Sequence, residues 1–248
     1  MARVATAASR VRALPGRAKA ALGLALALIV VLVAGTVVAV VGGDGGGTAG
    51  DDTGAASGTL PSTTLATGDL DLEVPDGWQP IPVPALGFGL AVPPGWEAVL
   101  LSPDGLSTLA GATPAIPGFV ENATAAASAG GLVYAAGQDA SGQVSDVLVR
   151  AAPETGVTDV AGLEAYARSL ATAAGRTDPE VEVVEGAARP TVRLRFAVGT
   201  GEERAEGTET LVLGPNGLVW SVTVTSDDPA LHDDLATSIT DTLVFSPA

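Results

Sequence analysis

The chain has 248 residues, 47% hydrophobic and only 16% charged, with a formal net charge of −16. It holds no cysteine, one histidine (His232) and one lysine (Lys19). Disulfides, thiolate nucleophiles, cysteine-ligated zinc and acylated-cysteine anchors are therefore excluded.

Charge is segregated along the chain. Residues 1–19 form a basic tail with Arg3, Arg10, Arg12, Arg17 and Lys19 and no acid. All 28 acidic residues lie from Asp44 onward, together with seven basic ones, which leaves that part at −21. Nucleic acid is disfavoured as a partner, because phosphate binding needs clustered cations. Between the two regions, residues 20–41 are apolar and uncharged (AALGLALALIVVLVAGTVVAVV). As a helix they span about 33 Å, close to the hydrocarbon thickness of about 30 Å. The segment reads as a single-pass transmembrane helix, or uncleaved signal anchor, whose partner is the lipid bilayer. The alternative is a cleaved signal peptide, with small-residue sites near Ala34-Gly35 and Ala39. Its apolar region would then exceed the usual length of about 7–15 residues. The positive-inside rule keeps the basic tail in the cytoplasm and places the C-terminal domain outside the plasma membrane.

Residues 42–73 are rich in Gly, Asp, Thr and Ser and read as a flexible linker. The expected domain, residues 74–248, opens on two near-copies of one phrase, VPDGW and VPPGW, containing Trp78 and Trp96. In the second, Pro93-Pro94-Gly95 should stop a strand at Val92 and fold Trp96 back on the core. The first precedes QPIPVPAL, too proline-rich for a central strand. Trp78 and Trp96 are the candidate contacts to the tether or to a partner, with pinning of the tether favoured for Trp78.

Further along, strands are expected at 87–92, 131–136 and 144–150, with a hairpin at GQDASG and a short helix after Pro117. Asp159 should cap a helix ending near Gly175, with Val160, Leu163, Tyr166, Ala167, Leu170 and Ala174 as its apolar stripe. A meander follows: a short strand at 181–186, then TVRLRFAV, GTETLVL and LVWSVTVT, with turns at TGEE and Asn216-Gly217. In it Val192, Leu194, Phe196 and Val198 face inward. Arg193 and Arg195 face outward, where Glu202, Glu203 and Glu206 are the expected ion-pair partners. DDPALHDDLATSIT is a helix capped by Asp227 or Asp228, with Leu231, Leu235 and Ile239 as its buried repeat, before a last strand, TLVFS. The fold class is α+β: one mainly antiparallel sheet flanked by helices.

Chemistry-bearing motifs are scarce. There is no G-x-S-x-G elbow, P-loop or dinucleotide fingerprint. His232, with Asp233, Asp234, Asp227 and Asp228 nearby, admits a metal or His–Asp reading; a solvated acidic first turn is the plainer one. Asp44, Asp51 and Asp52 lack the spacing of a calcium loop. Tyr166 belongs to the helix stripe. No catalytic, metal or cofactor site is assigned, and no cofactor is expected.

The stretches FGLAVPPGWE, VLVRAAPETGVTDVAGLEAYARSL and LHDDLATSITDTLVF, with the meander between them, resemble the PsbP-like α/β/α sandwich superfamily. Within it the pattern is similar to the actinobacterial LpqN/LpqT-type envelope proteins. The resemblance covers about Phe88 to Ser246. It implies a binding or accessory subunit and carries no catalytic motif. Members of that type are usually lipoproteins held by an acylated Cys; this chain has none, so a membrane helix would supply the anchor. The expected function is a membrane-tethered extracytoplasmic binding module of the cell envelope, engaging an envelope protein or a lipid or glycan. The alternatives are a purely architectural scaffold or a carboxylate-dependent hydrolase.

Overall fold

The computed structural model describes residues 70, 72–152, 155–175, 179–198, 205–215 and 217–246. The expected membrane segment at 20–41, the basic tail, most of the linker and the TGEE turn lie outside the described residues. Among those described, no helix is long and apolar enough to cross a membrane.

The described residues form ten strands and four α-helices. The strands are β1 (Gln79–Val83), β2 (Phe88–Val92), β3 (Glu97–Leu100), β4 (Gly131–Gln138), β5 (Val144–Ala152), β6 (Glu180–Val183), β7 (Thr191–Val198), β8 (Ala205–Leu213), β9 (Val219–Ser226) and β10 (Val244–Phe245). The helices are α1 (Pro103–Ala110), α2 (Phe119–Ser128), α3 (Val160–Ala173) and α4 (Pro229–Asp241). The architecture is α+β with antiparallel pairing throughout. The expectation of a single sheet is corrected, because there are two. A seven-stranded sheet runs β3-β4-β5-β9-β8-β7-β6, and a separate three-stranded sheet runs β1-β2-β10.

The two sheets are separate because Pro93-Pro94-Gly95 ends β2, as its composition requires, and sends the chain across to β3. The proline-rich segment forms β1, an edge strand on β2. An edge position tolerates Pro80 and Pro82, since proline lacks a ladder donor. Two phrases of the same wording build the same turn. The Trp78 amide donates to the Pro75 carbonyl at 3.0 Å, and the Trp96 amide to that of Pro93 at 3.4 Å. Gly77 and Gly95 hold φ of 79° and 78°, the positive value a type II turn demands at that place. Each turn delivers the chain into a strand, β1 in one case and β3 in the other.

The small sheet and α4 cover one face of the large sheet. Phe88, Leu90 and Val92 meet Val133, Val147, Val149, Val222 and Val224 there, with Ala236 and Ile239 of α4. Aromatics are few, yet three of them meet in this layer. The rings of Phe88 and Trp220 are 4.5 Å apart, and Phe245 lies 5.5 Å from Trp220. On the opposite face, α2 packs Phe119, Ala123 and Ala126 on Tyr134, Ala136 and Leu148. Farther along, α3 packs Leu163 and Ala167 on Val192, Leu211 and Val219. The buried unit reaches back to Leu70, 6% exposed, inside the stretch read as linker. Leu70 lies over Gly89.

Three elements were not expected, β1, β3 and α1. Ser102 caps α1 by accepting the Gly105 amide at 3.1 Å, and Pro103 takes the first turn. A segment reading Ser-Pro-Asp-Gly looks like a loop until a neighbouring strand fixes it.

Candidate functional site

A cleft of about 480 Å³ opens between the β6–β7 connection, the start of β7, the end of α4 and β10. Its apolar walls are Val184, Val212, Leu243, Val244 and Phe245. Arg189, Arg193, Thr191, Thr240 and Asp241 supply its polar groups. The volume falls within the range of small-ligand pockets, roughly 300–1,000 Å³.

Local rules explain how the arginines arrive there. Strand alternation puts Val192 and Leu194 under α3 and turns Arg193 and Arg195 to the other face. That face is not open solvent, as expected, but the layer occupied by α4. Arg195 there lies 3.8 Å from Glu180 on β6 and 3.7 Å from Asp233 on α4. These acids come from a neighbouring strand and a distant helix, whereas Glu202 and Glu203 lie outside the described residues. Arg193 stands opposite Glu182 and Thr210 in the register and forms no ion pair with Glu182. Its Nε is buried without a hydrogen-bond partner. The Arg189 guanidinium carbon sits 5.4 Å from the centre of the Phe245 ring.

His232 is a correction. The expected solvated first turn instead buries it, at 3% exposure, and Leu231 is 55% exposed. The buried face of α4 is His232, Ala236 and Ile239; of the expected repeat Ile239 is buried, Leu235 packs partly buried against the core, and Leu231 turns outward. Small Ala236 lets the helix approach the sheet, and His232 Nε2 lies 3.3 Å from the Val224 carbonyl. The nearby acids have other work. Asp228 caps the helix by accepting the Ala230 amide at 2.9 Å, and Asp227 accepts the Val144 amide at 3.2 Å. Among the described residues no group of three or more ionisable side chains is placed to hold a metal.

Trp78 and Trp96 are both partly buried against the same core cluster. Neither lines the cleft, and Trp96 rests on Gly137. Tyr166 packs beside Leu163 and Ala167. Burial, then the charge of Glu209, raises its phenol above the ordinary value.

A second polar feature lies on the central strands, beneath the helices. Arg150 donates to Glu209 at 2.8 Å, and Ser221 donates to the same carboxylate oxygen at 2.7 Å. Four residues along β5 and β9, Thr225 donates to Asp146 at 2.7 Å. Asp146 is 1% exposed. Burial pushes its carboxyl up to about 7, against the pull of the Thr225 hydroxyl, and the charge of Asp227 adds to the rise. Burial and the Asp146 charge likewise raise the Tyr134 phenol well above its usual value. Sequence reading missed this row because its acids occupy alternate positions of ordinary-looking strands. The polar letters inside VSDVLVR and GTETLVL were the available signal.

No protein-family model matches the chain, and no curated protein matches it. Among solved structures the chain is similar to LpqN, described as involved in cell envelope biogenesis of Mycobacterium tuberculosis. The likeness covers 72% of this chain and 83% of that one, at 15% identity and a TM-score of 0.34. At that TM-score it assigns neither a partner nor a ligand.

Proposed function

We propose that the protein is a membrane-tethered, extracytoplasmic accessory module of the cell envelope that binds a ligand in the cleft between β7, α4 and β10. The cleft carries this reading. It combines an apolar wall with two arginines that make no ion pair, the usual composition of a recognition site. The basic tail and the apolar segment 20–41 supply the tether, with the domain on the far side of the membrane. The PsbP-like sandwich and the non-enzymatic role remain what the sequence resemblance implies.

Two measurements on the full chain in its native membrane test the reading. A reporter fused after Ala248 should register outside the membrane. A photo-crosslinking group at Ala188, on the rim of the cleft, should capture a discrete small molecule or envelope component. A cytoplasmic reporter signal removes the tether assignment. A cleft that captures nothing removes the binding role.

A further inference from the structure

We propose that the cleft selects an oxyanion borne on an apolar body, a carboxylate or phosphate monoester with a short hydrocarbon part. This rests on the reading of the cleft as a binding site and names its ligand class.

The selection follows from which cations are already committed. Five arginines are described, and three have carboxylate partners. Arg150 pairs with Glu209, Arg168 with Glu164, and Arg195 with Glu180 and Asp233. The two without one, Arg189 and Arg193, are the two that line the cleft. In a region with 28 acids and seven bases, leaving both free of a carboxylate is notable on electrostatic grounds. Asp241 shares the rim and Glu182 faces Arg193 across the ladder, yet neither makes an ion pair with these arginines.

The donors are also set for an incoming acceptor. A buried guanidinium N–H without a partner carries the desolvation penalty of an unmade hydrogen bond. The Arg193 Nε is in that state, as are those of Arg150 and Arg195, but Arg193 alone of the three has no carboxylate on its other nitrogens. A carboxylate or phosphate oxygen meets a guanidinium with two parallel charge-assisted bonds. Arg189 is held over Phe245, so its flat fork is partly pre-positioned. The threonine hydroxyls are spent on the chain itself. Thr191 donates to the Arg189 carbonyl at 2.9 Å and Thr240 to that of Ala236 at 2.7 Å. Apart from Asp241 on the rim, the remaining wall is hydrocarbon and suits the apolar part of the ligand.

The test uses the full chain in phosphatidylcholine nanodiscs. Because the sequence has no cysteine, Ala187→Cys on the rim accepts one environment-sensitive fluorophore. Hexanoate, hexyl phosphate, hexanol and inorganic phosphate are titrated, with empty nanodiscs subtracted. The expected result is binding of hexanoate or hexyl phosphate at least tenfold tighter than hexanol and inorganic phosphate. Arg193→Gln should weaken the anions at least tenfold and leave hexanol unchanged. Ala188→Trp, on the exposed rim, should block all of them. Equal binding of hexanol and hexanoate, both blocked by Ala188→Trp, overturns the oxyanion class and leaves the cleft as a binding site. Inorganic phosphate binding as tightly as hexyl phosphate overturns the apolar requirement. No titration sensitive to Ala188→Trp overturns the binding reading itself. Unchanged thermal unfolding of the variants establishes that each outcome reports the cleft.

Discussion

Arg193 and Arg195 stand two residues apart on one face of β7, yet only Arg195 reaches carboxylates, at 3.8 Å and 3.7 Å. Both leave Nε buried without a partner. Binding residues are commonly held at some expense to stability. Arg193→Met should therefore raise stability by about 0.5–1 kcal/mol, because it removes a desolvated donor. Arg195→Met removes the same kind of donor but also two half-exposed ion pairs, together worth up to about 1 kcal/mol, so it should gain less than Arg193→Met or lose stability. Urea unfolding of the two variants measures the contrast.

The pair Arg150–Glu209 is of the opposite kind, with side-chain exposures of 16% and 2%. Removing one partner strands a buried charge, at a cost of about 3–5 kcal/mol, whereas an apolar pair can replace both. Arg150→Met should be strongly destabilising. Adding Glu209→Met should restore most of the loss. A double-mutant cycle by denaturant unfolding reads the coupling.

Asp146 should impose a pH dependence. Its carboxyl is raised from 3.8 to about 7 in the folded state, so the native protein holds that proton more tightly than the unfolded chain. The contribution to stability is full below the unfolded value and is lost as pH rises through the folded one. Between pH 5 and 8 the loss should be about 2–3 kcal/mol. Asp146→Asn keeps an acceptor for Thr225 and cannot ionise. It should flatten this part of the profile and be the more stable form at pH 8. Unfolding curves of both proteins across that range decide it.

The contact of Trp96 with Gly137 gives a fourth test. A Cβ at Gly137 would collide with the indole. Gly137→Ala should destabilise by about 1–3 kcal/mol through overpacking. In a Trp96→Ala background the same change should cost clearly less, a non-additivity expected only of neighbours. Trp78→Ala serves as the control, because that ring has no part in the collision.

Much of this fold was legible beforehand because its signals are local. Period-two alternation located β5, β7, β8 and β9, and Asp159 capped α3 as read, its carboxylate accepting the Gly162 amide at 2.8 Å. The candidate site was far less legible. Arg193 and Arg195 were read as one outward face with partners in the next turn. The partners of Arg195 are instead Glu180 and Asp233, which arrive from a neighbouring strand and a distant helix, and Arg193 pairs with neither.

By itself, the sequence determined the segregation of charge around an apolar segment, the strand and helix types, and the paired Pro-x-Gly-Trp turns. Each depends on neighbours within a few positions, through side-chain alternation, caps or the backbone freedom of glycine. Only the tertiary structure decided that β1, β2 and β10 form a second sheet. It alone buried His232 in place of Leu231 and left Arg189 and Arg193 lining a cleft without an ion pair to any described carboxylate. Those outcomes depend on which distant surfaces meet, and burial and ion pairing are properties of the meeting, not of either segment alone.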